Sequence, residues 1–176
     1  MKIVMLNAAT LPVYRGDLAH LLCNATGYPH PPRQEEAEGY FHSLRASMAK
    51  GERLLWIARD EEGVVGSVQL KLPLFHEGQN RAEIQRLLVH QRARRRGVGK
   101  RLLAELERTA QSNQRGVLCL HLIAGSPAEA FYRAQGYRCL GELPDYATTS
   151  DGHCHAAMFY YKRLFIAAGT LRAIAS

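Results

Sequence analysis

Residues 94–99 read Arg-Arg-Arg-Gly-Val-Gly, set between an apolar run at 84–89 and a helix-like run that begins at Val98. No other segment constrains the chain as much, because a strand, a cationic glycine turn and a helix must meet within a few residues. Val98, Leu102, Leu103 and Leu106 recur at helical spacing, which predicts an amphipathic helix. Its first turn is crowded by Arg94, Arg95, Arg96, Lys100 and Arg101. That end already carries the positive pole of the helix dipole, so each cation there costs about 0.3–1 kcal/mol instead of stabilising. A bound anion relieves the conflict. Gly97 and Gly99 have no side chains to block backbone N–H groups from closing on phosphate oxygens. The candidate anion-binding residues are therefore Arg94, Arg95, Arg96, Gly97, Val98, Gly99 and Lys100.

The 176 residues, 47% of them hydrophobic, suit one globular domain with a sizeable core. That domain is expected over 1–165, with 166–176 as a C-terminal extension that packs on the domain or on a second subunit. The net charge of +7 favours an anionic partner, and eleven of the 23 Lys and Arg fall between Lys71 and Arg115. Interleaved exposed aromatics, which single-stranded nucleic acid would favour, are lacking, so nucleic acid is the weaker reading. Four cysteines without C-x-x-C spacing, and no secretory pattern, imply reduced thiols and a cytoplasmic protein. No run is long and apolar enough to span a bilayer.

Along the chain, residues 2–7 read as a strand and 14–23 as a helix. Three prolines within 29–32 interrupt regular structure, and a second helix is expected over about 35–49. Residues 54–58 and 64–72 form a hairpin, its second arm alternating Val64, Gly66, Val68 and Leu70 inward against Val65, Ser67, Gln69 and Lys71. A strand at 82–89 leads into the arginine turn and a helix to about 113. The near-continuous apolar run 117–123 reads as a strand covered on both faces. Ser126, Pro127 and Glu129 form a helix start with a capping box, and Gly136 marks the helix end. Residues 137–140 and 156–161 read as closing strands. Asp151, His153, Cys154 and His155 carry metal-ligand chemistry, but neighbouring residues converge poorly on one tetrahedral ion, so a turn is the preferred reading and no metal is expected.

The pairing of Arg94-x-x-Gly97-x-Gly99 with the later Ala128-Glu-Ala-Phe131-Tyr132-Arg-Ala-Gln-Gly136-Tyr137 resembles the GNAT superfamily of N-acetyltransferases. From Asn80 to Lys162 the wording is closest to the tabtoxin-resistance type, with Asn-Arg-Ala-Glu-Ile-Gln, Ala-Gly-Ser-Pro-Ala-Glu-Ala-Phe-Tyr and Gly-Glu-Leu-Pro-Asp-Tyr. Before residue 54 the likeness is weak. Two departures stand out: Gly125 where the family often has asparagine, and His121 where the tabtoxin-resistance type has an acidic residue. The resemblance implies an α/β fold with a mixed, mostly antiparallel central sheet flanked by helices. It also implies an acetyl-coenzyme A cleft where two parallel strands, 84–89 and 117–122, splay apart. The arginine turn would then hold the pyrophosphate, and the backbone of Leu87, Leu88 and Val89 would bind the pantetheine amides like an added strand.

The chemistry fits these positions. Attack of an amine on a thioester needs a neutral amine and a proton for the departing sulfur. Tyr132 suits the acid, with a buried structural aromatic as the other reading. Glu83 suits the base, acting through water, unless it merely pairs with Arg81 or Arg86; strand parity would put Glu83, Gln85, Leu87 and Val89 on one face. His121 could instead deprotonate the amine directly, or be a hydrogen-bonded core histidine. The expected activity is acetyl-CoA-dependent transfer of acetyl to a primary amine of a small molecule, an antibiotic or toxin among the candidates. A protein or peptide acceptor, and a non-catalytic coenzyme-sensing or nucleic-acid-binding module, stay open as alternatives, as does a homodimer.

Overall fold

The computed structural model describes residues 1–25, 31–149 and 151–169. Prolines 31 and 32 precede the second helix, while the rest of the expected break at 28–30 and most of the expected extension lie outside the described residues. Seven strands form one sheet in the order β1-β2-β3-β4-β5-β7-β6. They are β1 (Lys2–Leu6), β2 (Arg53–Asp60), β3 (Gly63–Lys71), β4 (Arg81–Val89), β5 (Val117–Ile123), β6 (Arg138–Thr148) and β7 (Cys154–Arg163). Every pairing is antiparallel except β4 with β5. Helices α1 (Leu11–Cys23) and α2 (Gln34–Ala49) precede β2, α3 (Val98–Ser112) joins β4 to β5, and α4 (Ala128–Ala134) follows β5. Mixed pairing and flanking helices bear out the expected fold class. Among the described residues no helix is long and apolar enough to cross a membrane.

The sheet has a core on each face. On β2, Leu55 and Ile57 join Leu18, Leu22, Phe41 and Leu44 of α1 and α2. Trp56 and Ala58, of opposite parity, join Val98, Leu102, Leu103 and Leu106 of α3. The expected stripe on α3 is therefore real. A methyl group built on Gly66 would lie 3.0 Å from Leu102, Val98 and the Leu88 carbonyl, so this glycine sets how closely α3 sits on β3.

The second arm of the hairpin does not alternate between core and solvent. Strand β3 is buried from Val64 to Leu70, so Ser67 and Gln69 are not solvent-facing but 0% exposed under α1 and α2. Helices on both faces turn an alternating pattern into a doubly covered strand. The expected capping box does not form. Pro127 occupies the N-cap, the Ser126 hydroxyl is buried without a partner, and Glu129 accepts from the Gly125 N–H at 2.8 Å instead. A second Glu129 oxygen accepts from the Tyr160 hydroxyl, which fixes α4 against β7.

Strands β6 and β7 run several residues past the expected ones. β6 is an edge strand with nearly every residue exposed, and so shows no alternation to read. Its pairing is interrupted between Leu143 and Ala147, around Pro144 and a left-handed Asp145, a device that blunts a free edge. The turn into β7 is held by Asp151, which accepts from Thr149 Oγ1 at 2.5 Å and pairs with His153 Nδ1 at 2.9 Å. Among the described residues no three His, Cys, Asp or Glu side chains gather as a metal site.

Candidate active site

The site begins where strand pairing stops. β4 and β5 are in register at only three positions, Arg81 with Val117, Ala82 with Leu118 and Glu83 with Cys119. Beyond them β4 runs on for residues 84–89 without β5, while β5 continues against β7 alone. The two strands thus form a wedge, closed at Glu83 and open toward their C-terminal ends, the usual crevice for ligands in such sheets.

The closed end is pinned from below. Arg115, 8% exposed, donates from Nη1 to the carbonyls of Pro73, Gly78 and Arg81 at 2.9, 3.0 and 3.3 Å. Asn80 accepts the Gly116 N–H on its side chain at 3.1 Å and the Val117 N–H on its carbonyl at 3.0 Å. Burial pulls the Arg115 guanidinium below its ordinary value; three carbonyl dipoles face its Nη1, while its Nε is buried without a partner.

A bulge shapes the open end of β4. Ser67 pairs with Leu88 and Gln69 with Gln85, so Val68 alone opposes Arg86 and Leu87. Arg86 adopts φ +49°, a left-handed conformation that costs a non-glycine residue about 1–2 kcal/mol. The extra residue resets the parity that the sequence implied. Glu83, Gln85 and Leu88 share the α1–α2 face, whereas Leu87 and Val89 join the α3 core.

Glu83 and His121, the two candidate bases, come together. Glu83 Oε1 lies 3.8 Å from His121 Nδ1, with the side chains 29% and 40% exposed. His121 is therefore not a core histidine; it stands in the open wedge against an aromatic wall. Its ring meets Tyr146 edge-on at 5.0 Å and lies tilted on Phe159 at 5.5 Å. Cys119, opposite Glu83, has its thiol pushed up by burial and by the Glu83 charge, so it is a protonated neighbour rather than a nucleophile.

The cationic turn closes the other side. Arg95 (φ +59°) and Gly97 (φ +76°) are left-handed, and Gly97 caps α3 without any side-chain hydrogen bond. The first intrahelical bond runs from the Arg101 N–H to the Gly97 carbonyl at 3.0 Å, so the N–H groups of residues 98–100 remain outside the helical ladder. Among the described residues, Arg94, Arg95, Arg96 and Lys100 form no salt bridge; Arg92 does, engaging Asp60 at 2.8 and 3.0 Å and holding that carboxyl below its usual range. Arg94 is half-buried and Arg95 exposed. A methyl on Gly99 would lie 3.4 Å from Phe131 and 3.6 Å from Val89, so the α3 N-terminus touches both α4 and the end of β4. The two sequence motifs therefore meet across the mouth of the wedge. Tyr132 is 3% exposed and packs edge-on between Phe131 and Tyr137 at 5.3 and 5.2 Å. Burial and the nearby Glu107, which accepts from its hydroxyl at 2.9 Å, push Tyr137 far up, leaving it a neutral structural phenol.

Sequence reasoning missed Tyr40, Arg53, Gln69, Gln85, Tyr146 and Phe159, which line the α2 side of the sheet or the aromatic wall. Polar Gln69 and Gln85 on facing strands were the available signal, and it reads as a solvated face until α2 is seen to cover them.

Residues 51–139 match the family model described as an acetyltransferase (GNAT) domain, and the chain belongs to that family of acetyltransferases. Its fold is shared with a ribosomal-protein-alanine N-acetyltransferase from Brucella melitensis, at TM-score 0.72 and 23% identity, covering 93% of this chain and 100% of that one. It is shared equally with yncA from Salmonella typhimurium, solved with its cofactor acetyl-CoA, at TM-score 0.72 and 14% identity, covering 98% and 99%. An aminoglycoside 6'-acetyltransferase type Ii aligns at TM-score 0.69 and 24% identity, covering 95% and 99%. Proteins named for different acceptors thus have this fold in common, so the fold alone does not set the acceptor.

Proposed function

We propose that residues 1–165 form one cytoplasmic acetyltransferase domain that moves acetyl from acetyl-CoA directly to a primary amine of a small molecule. The observation that carries the donor site is the wedge: residues 84–89 of β4 extend beyond the last β5 pair and leave a strand edge for the pantetheine amides. Leu87, Leu88 and Val89 supply that edge. Arg94 with the backbone N–H groups of residues 97–100 would hold the pyrophosphate. When bound, acetyl-CoA supplies the activated thioester.

The chain's own residues handle the protons. The Glu83–His121 pair takes a proton from the incoming amine at the closed end of the wedge. Tyr132, on the helix that touches the α3 N-terminus, gives a proton to the departing sulfur. Cys119, held protonated, supports direct transfer rather than an acetyl-cysteine stage. An amine-bearing antibiotic or toxin falls within this acceptor class, and the tabtoxin-type wording of residues 80–162 favours testing such compounds.

The test is a steady-state assay of labelled acetyl transfer to small amines, run beside coenzyme A titrations of two variants. Labelled acetyl is expected on the amine. Arg94→Ala should weaken coenzyme A binding about 10-fold, as for loss of a charge-assisted hydrogen bond, and Arg95→Ala less than about 3-fold. Equal losses at both positions, or no labelled amine, would contradict the assignment.

A further inference from the structure

We propose that the acceptor amine also carries a carboxylate, making it amino-acid-like, and that Arg53 and Gln69, with Arg86 beside them, read that carboxylate. The inference rests on the amine-acetylation reading above and names its acceptor class.

The cluster lies on the same face as Glu83. Arg53, Lys71 and Glu83 are register partners across β2, β3 and β4, and Leu55, Gln69 and Gln85 form the next row. Arg53 leans into that second row, donating from Nη1 to Gln69 Oε1 at 2.7 Å and to Gln85 Oε1 at 2.6 Å. The Tyr40 hydroxyl donates to the same Gln69 oxygen at 3.0 Å, and the Arg86 guanidinium stacks 4.2 Å from the centre of the Tyr40 ring. Gln85 is one pleat repeat, about 7 Å, along β4 from Glu83, so the guanidinium stands a short molecule's length from the proton acceptor.

The imbalance is specific. Among the described residues no carboxylate reaches Arg53; its partners are two neutral amide oxygens. Arg53 Nε and Gln69 Nε2 are both buried donors without an acceptor, and the nearby Ser67 hydroxyl is also buried and unpaired. Buried donors are ordinarily matched, and a cation in such a place ordinarily meets an anion. The Arg53 Nε and Gln69 Nε2 groups can only donate and the Ser67 hydroxyl can donate as well, so their complement beside a guanidinium is an acceptor, and a carboxylate is that group. The β4 bulge works in the same direction. By simple alternation Arg86, next after Gln85, would turn to the opposite, α3 side, but its left-handed φ of +49° keeps it against Tyr40 on the same face as Gln85. A strained non-glycine residue of this kind is usually held at a functional surface. With Lys71 in the same row, three cations flank Glu83 on this side, a setting that repels polycationic amines.

Matched acceptors test the idea with the full-length protein, acetyl-CoA and released thiol as readout. Each of several amino acids is compared with its own carboxamide, and spermidine and kanamycin serve as polycations. The amino acids should exceed their amides by about 10-fold or more in kcat/KM. Arg53→Gln should bring that ratio to within about 3-fold, and Arg53→Lys should restore part of it. Amides or polycations used as well as the amino acids would overturn the carboxylate site while leaving the transferase reading intact, and so would an unchanged ratio in Arg53→Gln. Transfer to no amine at all would overturn both. The comparison of acid with amide in the unmodified protein decides the matter even if a variant fails to fold, and Arg86→Gln, which should lower the ratio, provides a second one.

Discussion

Replacing Tyr132 with phenylalanine is expected to lower kcat by about 100-fold or more, the range for loss of a positioned general acid. The KM for acetyl-CoA should change little, because no contact assigned to the coenzyme passes through this hydroxyl. The ring is 3% exposed and wedged between Phe131 and Tyr137, so phenylalanine keeps the packing and removes one oxygen. Removing one buried hydroxyl, worth about 1 kcal/mol, should leave the fold intact. A melting curve with and without coenzyme A confirms that, since ligand stabilisation follows from mass action. An unchanged kcat would remove Tyr132 from the chemistry and leave it as an aromatic of the α3–α4 core.

Glu83→Gln carries the second large effect. With the proposed proton acceptor gone, kcat/KM at neutral pH should fall about 100-fold. His121→Asn should cost about 10-fold or less, because the imidazole is the more exposed partner and lies 3.8 Å from the proposed base. The double variant should lose little beyond Glu83→Gln alone, as expected for groups acting as one unit. If His121→Asn proves the more damaging change, the base is His121 and Glu83 positions it.

Several of these parts were legible in the sequence because each is a local demand. The α3 stripe is fixed by helical periodicity, and Gly97 by a turn that needs φ +76°. The run at 117–123 became β5 with the bounds expected, but it is not covered on both faces: Leu118 and Leu120 are buried on one side, while His121 is exposed on the other. What escaped was set by tertiary partners. The bulge at Arg86 has no local marker, because an arginine held left-handed is dictated by pairing with β3 and stacking on Tyr40, and it reversed the faces of Leu87, Leu88 and Val89. Gln69 looked solvent-facing because alternation reports a period and says nothing of what covers the polar side. Ser126 looked like a cap because its spacing to Glu129 is right, but that carboxylate is engaged by Gly125 and Tyr160. Helix α2, where the family likeness was weak, supplies Tyr40 to the face proposed for the acceptor, which is why that face was least legible.

The most direct measurement of the donor site is amide hydrogen exchange with and without saturating coenzyme A. Slowed exchange is expected at Leu87, Leu88 and Val89 of the unpaired β4 edge and at residues 97–100 of the cradle, with β6 unaffected. Protection confined to other segments, or none at a concentration that raises the melting temperature, would contradict a coenzyme seated between β4 and β5.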